Sequence, residues 1–131
     1  MRFLLDTSIL LWSVAEEHKL NARARKLVSS SSSELYVSSA TAWEIAIKCS
    51  IGTLRLPMAP AEFIPGVIRG MGLHTLDITS THAIEAGRLP QHHRDPFDRM
   101  LVAQAKVEEM ILLTGDAAMR KYDVEQIHCG K

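Results

Sequence analysis

The chain has 131 residues, of which 47% are hydrophobic and 23% are charged, and its fifteen basic side chains balance fifteen acidic ones. A chain of this size can bury a hydrophobic core that is stable without disulfide bonds or bound metal ions. Its zero formal net charge excludes a strong overall field toward nucleic acid or membranes. Cys49 and Cys129 lie too far apart in sequence for the spacing of a disulfide framework or of a pair of metal ligands. We therefore expect two packed free thiols and a reducing compartment. No signal peptide or bilayer-spanning run is visible, so we expect a cytoplasmic protein.

Strands and helices are predicted to alternate along the chain. In chain order the pattern predicts a strand at Arg2–Leu5, helices at 8–15 and 21–29, a strand at 35–37, helices at 39–51 and 61–69, a strand in GLHTLDI, helices at Ser80–Arg88 and Pro96–Glu108, a strand in MILLTGD and a last strand near 124–128. Asn21 is the expected N-cap of the second helix. Alternation of this kind favours a parallel sheet with helices on its two faces, in which sites form beyond the carboxyl ends of the strands.

Two aspartates directly follow predicted strands. Asp6 ends the first strand and Asp116 follows the fourth, in ILLTGDAAM. An aspartate at a strand-to-helix junction is often only an N-cap. Because the carboxyl ends of parallel strands share one edge of the sheet, we expect these two side chains to lie at the same edge.

Glu44 heads the predicted inward face of its helix. It shares that face with Ile47 and Ile51, which must pack inward. A capping box with Thr41 and a salt bridge to Lys48 are structural alternatives. The apolar face favours an acid that points toward the protein or a cleft. Trp12 and Trp43 are expected to belong to the core.

Asp98 repeats this arrangement in DPFDRMLVAQA. Asp95 and the proline after it form a good helix start, and Asp98 then lies in the first turn, where the helix dipole favours a negative charge. Asp98 also aligns with the apolar side chains of Leu101 and Ala105. We therefore expect a second carboxylate at the inner edge of a helix.

These four acids together predict a metal site. Converging carboxylates repel each other and are driven toward protonation unless a cation lies among them. A hard divalent cation, Mg²⁺ or Mn²⁺, takes such oxygen ligands and suits hydrolysis of a phosphodiester bond. The sequence contains no nucleophile elbow, phosphate-binding glycine loop or Cys/His zinc cluster.

The chain resembles the PIN-domain family, and specifically the VapC-like toxin ribonucleases of type II toxin–antitoxin systems. The matching stretches are LLDTSILLW, SSATAWEIAIK, DPFDRMLVAQA and LLTGDAAM, in that order, with GTLRLP between them. The resemblance implies one PIN-like domain over residues 1–131, a three-layer α/β/α sandwich and a parallel sheet of four or five strands. It also implies a Mg²⁺- or Mn²⁺-dependent endoribonuclease that forms a homodimer and is silenced by a cognate antitoxin.

The resemblance also assigns roles to the acids. It implies that Asp6 and Asp98 are the principal metal ligands. Glu44 would bind or orient metal waters, and Asp116 would complete the pocket, through a second metal or a water. Asp95 remains an alternative to Asp98, which we prefer because its register matches the family pattern and the inward face.

Residues beside the acids are candidates for accessory roles. Thr7 and Thr114 resemble hydroxyl residues that hold the carboxylates or a phosphate oxygen. Several polar and basic residues form either a solvated surface or phosphate contacts for RNA: His92, His93, Arg94, Arg99, Arg120 and Lys121.

Three other functions remain to be weighed. A phospho-accepting receiver domain needs paired acids after the first strand and a lysine after the last, which this chain lacks. A haloacid-dehalogenase-like phosphatase needs a second aspartate where Ser8 stands. A catalytically inactive PIN fold that binds RNA or protein remains the alternative, although no acid of the pattern is missing.

Overall fold

The structure is a computed structural model that describes residues 1–92 and 94–131. Within those residues the strands are β1 (Arg2–Leu5), β2 (Glu34–Ser38), β3 (His74–Leu76), β4 (Ile111–Thr114) and β5 (Gln126–His128). The helices are α1 (Thr7–Ala15), α2 (Ala22–Ser29), α3 (Ser39–Ser50), α4 (Pro60–Met71), α5 (Ser80–Arg88) and α6 (Pro96–Glu108). Two 3₁₀ turns that the sequence pattern did not predict lie at Glu17–Lys19 and Ala117–Lys121.

All strand pairs in the described sheet are parallel, and the strand order is β3-β2-β1-β4-β5. The chain builds outward from β1 through β2 to β3, and then returns to the other side of β1 with β4 and β5. The order of the strands therefore reverses between β1 and β4. In open parallel sheets this reversal opens a crevice at the carboxyl ends of the strands, where ligands bind.

The sheet separates two apolar cores, as the alternation of side chains along a strand requires. Phe3 and Leu5 of β1 pack on one face, together with residues of α1, α2, α3 and α4. Leu4 packs on the other face with residues of α5 and α6, among them Leu101 and Val102, which are fully buried. The result is the predicted three-layer α/β/α sandwich, with five strands.

A buried polar link fixes the start of α3 against α6. The Ser38 hydroxyl caps α3 by accepting from the backbone N–H of Ala40 at 3.0 Å, and it donates to Oε1 of Gln104 at 2.6 Å. Ser38 and Gln104 are almost completely buried. Because buried polar groups without partners are costly, this pair holds together the two helices that carry Glu44 and Asp98.

One structural alternative for α3 is excluded, and one prediction about this helix was wrong. Its N-cap is Ser38 rather than Thr41, so Glu44 is not the third residue of a capping box. Trp43, predicted to belong to the core, is 62% exposed and contacts Phe97 edge-to-face with ring centroids 5.4 Å apart. The buried residues of α3 are Ala40, Thr41, Glu44 and Ile45, so the inward face includes Glu44, as predicted, but not Trp43. Among the described helices, none has the length and apolar character to cross a membrane.

The two cysteines differ in accessibility, which gives a test of the fold. Cys129 lies in the core, where burial raises the pKa of its thiol to about 11, while Cys49 is only partly buried. At pH 8 about one Cys129 thiol in a thousand is then ionised, and the thiolate is the reactive form. We expect one thiol of the native protein to react with Ellman's reagent and the second to react only in guanidinium chloride. Cys49→Ser should remove the fast phase, whereas two equally fast thiols would contradict this packing.

Candidate active site

The predicted acids line one cleft at the carboxyl ends of β1 and β4. The cleft has a volume of about 240 Å³. Among the described residues that line it, five carry carboxylates and one carries an ammonium group: Asp6, Glu44, Asp95, Asp98, Asp116 and Lys48. The structure thus brings together the four acids that the sequence singled out, and adds Asp95, the alternative to Asp98.

Asp6 is a helix cap and a member of the cleft at once. Its Oδ1 accepts from the backbone N–H of Ile9 and from the Ser8 hydroxyl, each at 2.8 Å, and its Oδ2 accepts from the backbone N–H of Gly115 at 3.2 Å. The side chain is only 3% exposed. Burial raises the pKa of Asp6, and these bonds together with one to the Thr114 side chain partly offset that effect. A buried carboxylate of this kind is stabilised by any added positive charge.

Glu44 enters the cleft from α3 and is held by two side chains. Its Oε1 accepts from the Thr7 hydroxyl at 2.6 Å, and its Oε2 lies 2.5 Å from the Lys48 ammonium. The Glu44 side chain is buried, whereas that of Lys48 is half exposed. The hydrogen bond to Glu44 raises the pKa of Lys48 despite partial burial, and the charges of Asp95 and Asp98 add to this effect. The cleft therefore stabilises positive charge.

Asp95 and Asp98 reach the cleft from the first turn of α6. Asp95 is the N-cap, and its Oδ1 accepts from the backbone N–H groups of Phe97 at 2.9 Å and Asp98 at 3.3 Å. The cap leaves the Asp98 carboxylate one turn into the helix, beside the buried face that begins at Leu101. One carboxylate is thus used for capping, and the other belongs to the inner edge of the helix.

Thr114 connects Asp6 with Asp116. The Thr114 side chain hydrogen-bonds Asp6, and its Oγ1 accepts from the backbone N–H of Asp116 at 3.0 Å. Asp116 in turn caps the following 3₁₀ turn by accepting from the N–H of Ala118 at 2.9 Å. Thr7 and Thr114 therefore hydrogen-bond to acids of the cleft, Glu44 and Asp6 respectively.

Several predicted accessory residues lie elsewhere. The Arg99 guanidinium donates to the carbonyl oxygens of Ala86, Leu89 and Pro90, so it clamps the segment that follows α5. His93 lies outside the described residues. His92 contacts the Tyr122 ring edge-to-face.

Three residues of the site were not predicted as site residues from the sequence: Ser8, Lys48 and Gly115. Ser8 and Gly115 hold Asp6 through short-range contacts that no periodicity reveals. Lys48 was predicted only as an alternative salt-bridge partner of Glu44, which lies four residues earlier. The spacing of four residues between Glu44 and Lys48 could have predicted its place, because residues one helical turn apart lie on the same face of a helix.

The donor groups of the cleft decide whether it fits a metal ion. Among residues 1–92 and 94–131, no three His, Cys, Asp or Glu side chains lie close enough together to hold an ion as they stand. Asp6 and Glu44 are hydrogen-bonded to protein groups instead. The chemistry of the donor set nevertheless fits a hard divalent cation, because carboxylate oxygens dominate it and an ammonium group already lies among them.

The comparison with known families identifies the fold. Residues 3–125 match the PIN domain family. The chain belongs to the PIN domain family. The predicted family and sandwich fold of this PIN domain are thereby confirmed. No curated protein matches the chain.

Solved structures with the same fold come from several bacterial complexes. A chain of VapBC2 from Rickettsia felis, bound to a DNA fragment of its promoter, has a TM-score of 0.73 and 12% identity to this PIN domain, with 98% of this chain and 99% of that chain covered. A chain of DNA-bound VapBC from Salmonella typhimurium has a TM-score of 0.67 and 18% identity, with 98% of each chain covered. A chain of VapBC-1 from nontypeable Haemophilus influenzae has a TM-score of 0.64 and 17% identity, again with 98% of each chain covered. At these identities the likeness shows a common fold.

Proposed function

We propose that this PIN domain is a metal-dependent endoribonuclease and the toxin of a toxin–antitoxin pair. The observation that carries the proposal is the cleft in which Asp6, Glu44, Asp98 and Asp116 meet at the carboxyl edge of the sheet. Membership of the PIN domain family supports a nuclease. RNA is the proposed substrate, as the resemblance to VapC-like ribonucleases implies.

The proposed metal is Mg²⁺ or Mn²⁺, held by Asp6 and Asp98, with Glu44 and Asp116 as direct or water-mediated ligands. Bound there, such an ion supplies positive charge against the charge of a phosphodiester group and of its attacking water. The protein's own groups orient the acids. Thr7 holds Glu44, and the backbone N–H of Gly115 holds Asp6. These bonds keep two carboxylates directed into the cleft before any ligand arrives.

A cognate antitoxin is the proposed protein partner. The solved neighbours include a chain of a toxin–antitoxin complex from Klebsiella pneumoniae. An apolar groove of about 350 Å³ supports a protein partner here, since Val14, Met58, Phe63 and Val67 line it between α1 and α4. Val14 and Met58 are exposed, at 44% and 46%. Exposed apolar grooves of this kind mark binding surfaces. We also propose a homodimer and a cytoplasmic location, which sedimentation and cell fractionation will check.

The function is tested by incubating total cellular RNA with the purified, antitoxin-free chain in Mg²⁺, Mn²⁺ or EDTA. Cleavage in the two metals and none in EDTA is the expected result. If the chain binds Mn²⁺ in a calorimeter and cuts no RNA, the result supports the alternative of an inactive PIN fold that only binds RNA or protein. Cleavage that continues in EDTA contradicts the metal dependence.

Lys48→Met tests whether ammonium and metal are alternative counter-cations in the cleft. Without metal the variant leaves the buried Glu44 carboxylate without its cation, so we expect a loss of about 1–2 kcal/mol in the free energy of unfolding. This is less than for a fully buried pair, because Lys48 is half exposed. Mg²⁺ should stabilise the variant more than the wild type in thermal denaturation. Lys19→Met, which breaks an exposed pair with Glu16, is the control, and an equal effect of Mg²⁺ on all three proteins would contradict the idea.

A further inference from the structure

A basic pocket lies beside the acidic cleft, on the other side of Gly115. It has a volume of about 380 Å³ and is lined by Lys19, Lys131, His18 and His128, with Trp12 as a wall. Gly115 lines this pocket, and its backbone N–H donates to Asp6 in the cleft. Gly115 therefore lies between a cluster of carboxylates and a cluster of lysine and histidine side chains.

Long-range contacts between the segments around Leu20 and Gly130 build this pocket. Leu20 and Gly130 form an antiparallel bridge, and the N–H of Lys131 donates to the carbonyl of Lys19 at 3.3 Å. The Asn21 side chain donates to the carbonyl oxygens of His128 and Gly130 at 3.0 and 3.2 Å. Two lysines remote in sequence are thus held side by side by the fold.

His128, which lines the pocket, has one buried polar atom without a partner in the described part of the chain. Its Nδ1 is buried and has no hydrogen-bond partner among the described residues. Buried polar atoms are nearly always satisfied by protein, water or a ligand.

The chemistry of the pocket complements the substrate that we propose for the cleft. A strand of RNA whose scissile phosphate lies among carboxylates must place its neighbouring phosphates on the surface alongside. The acidic cleft repels those phosphates, whereas lysine and imidazole N–H groups bind them. The geometry points to the pocket of Lys19, Lys131, His18 and His128 as a binding site for a phosphate of single-stranded RNA next to the one cleaved, an inference that rests on the proposed function.

The carboxylate of Glu16 lies near the pocket and opposes phosphate binding, so its removal gives a variant with the opposite expected effect. Glu16 pairs with Lys19 at 2.8 Å, and their side chains are equally exposed. The pair lowers the positive charge that Lys19 offers to a phosphate. Removal of the Glu16 charge should therefore strengthen RNA binding, while removal of the lysines should weaken it.

The experiment measures binding of a short fluorescein-labelled single-stranded RNA by anisotropy, in EDTA and over a range of KCl concentrations. For Lys19→Ala/Lys131→Ala we expect affinity to fall about tenfold at low salt and the slope of log K against log[salt] to decrease by about 0.7, the value for one phosphate contact on a single strand. Glu16→Gln should tighten binding a few-fold. Arg23→Ala/Lys26→Ala removes the same charge from a cavity beside Met1, at the start of β1, and should leave the slope unchanged.

Equal slopes for the two double variants, or weaker binding by Glu16→Gln, would overturn the assignment of this pocket. The EDTA binding assay does not depend on cleavage. A chain that binds RNA with these slopes but cuts none in Mg²⁺ would contradict the proposed function while leaving the phosphate site in place.

Discussion

Asp98→Asn is expected to lower metal-dependent RNA cleavage by about a hundredfold or more while the chain stays folded. Asparagine keeps the shape of the side chain and removes the charge that would bind a cation. Helix α6 keeps its start, because Asp95 and not Asp98 is its N-cap. The loss of a favourable charge near the helix dipole costs under about 1 kcal/mol of stability. Initial cleavage rates at saturating Mg²⁺, with circular dichroism and urea unfolding, measure these effects.

Asp95→Asn is the matched control, because it removes one negative charge from the same cleft. An asparagine at this position still accepts from the N–H groups of Phe97 and Asp98. A general electrostatic effect would slow the two variants equally. We expect Asp95→Asn to keep most of the activity, so equal losses in the two variants, or full activity of Asp98→Asn, would contradict the assignment of Asp98.

Gly115→Ala is expected to destabilise the chain by about 1–3 kcal/mol and to slow cleavage. A Cβ atom at this position would lie 2.6 Å from Cη2 and 2.7 Å from Cζ3 of Trp12. The indole packs against the core, so its ring cannot move away without cost. A shift of the Gly115 backbone instead weakens the 3.2 Å bond to Asp6, so stability and activity should fall together in urea unfolding and cleavage assays.

Trp12→Leu gives the second arm of a double-mutant cycle. The single change opens a gap and destabilises the chain by itself. Combined with Gly115→Ala it removes the clash, so the double variant should be more stable than the sum of the single effects predicts by at least about 0.5 kcal/mol. Additive effects would show that Trp12 does not limit the space at Gly115.

The regular elements could be predicted from local pattern with small errors in their ends. Short apolar runs gave β1 and β4, and Asn21 was found to cap α2 through the N–H of Ala24, as expected. Asp6, Asp98 and Asp116 were found because each stands at the start or end of an element, and the parallel sheet places those positions at one edge. Sequence pattern therefore predicts those features that depend on contacts between residues close together in the sequence.

Contacts between distant segments were not predictable in this way. The face of α3 was misjudged because counting apolar residues favoured Trp43 and Ile51, which are 62% and 66% exposed. The bond from Thr7 to Glu44 instead joins the inward face of α3 to the start of α1. The basic pocket depends on the bridge between Leu20 and Gly130, a pairing across most of the chain that no window of sequence contains.

Cleavage of a circular RNA tests the central claim most directly, because a circle has no ends for an exonuclease. The wild-type chain, purified without antitoxin, is incubated with the circle in Mg²⁺, in EDTA, and in EDTA followed by excess Mg²⁺. A metal-dependent endoribonuclease yields linear product in the first and third samples and none in the second. Linear product in EDTA, or an intact circle beside degraded linear RNA, would contradict the account.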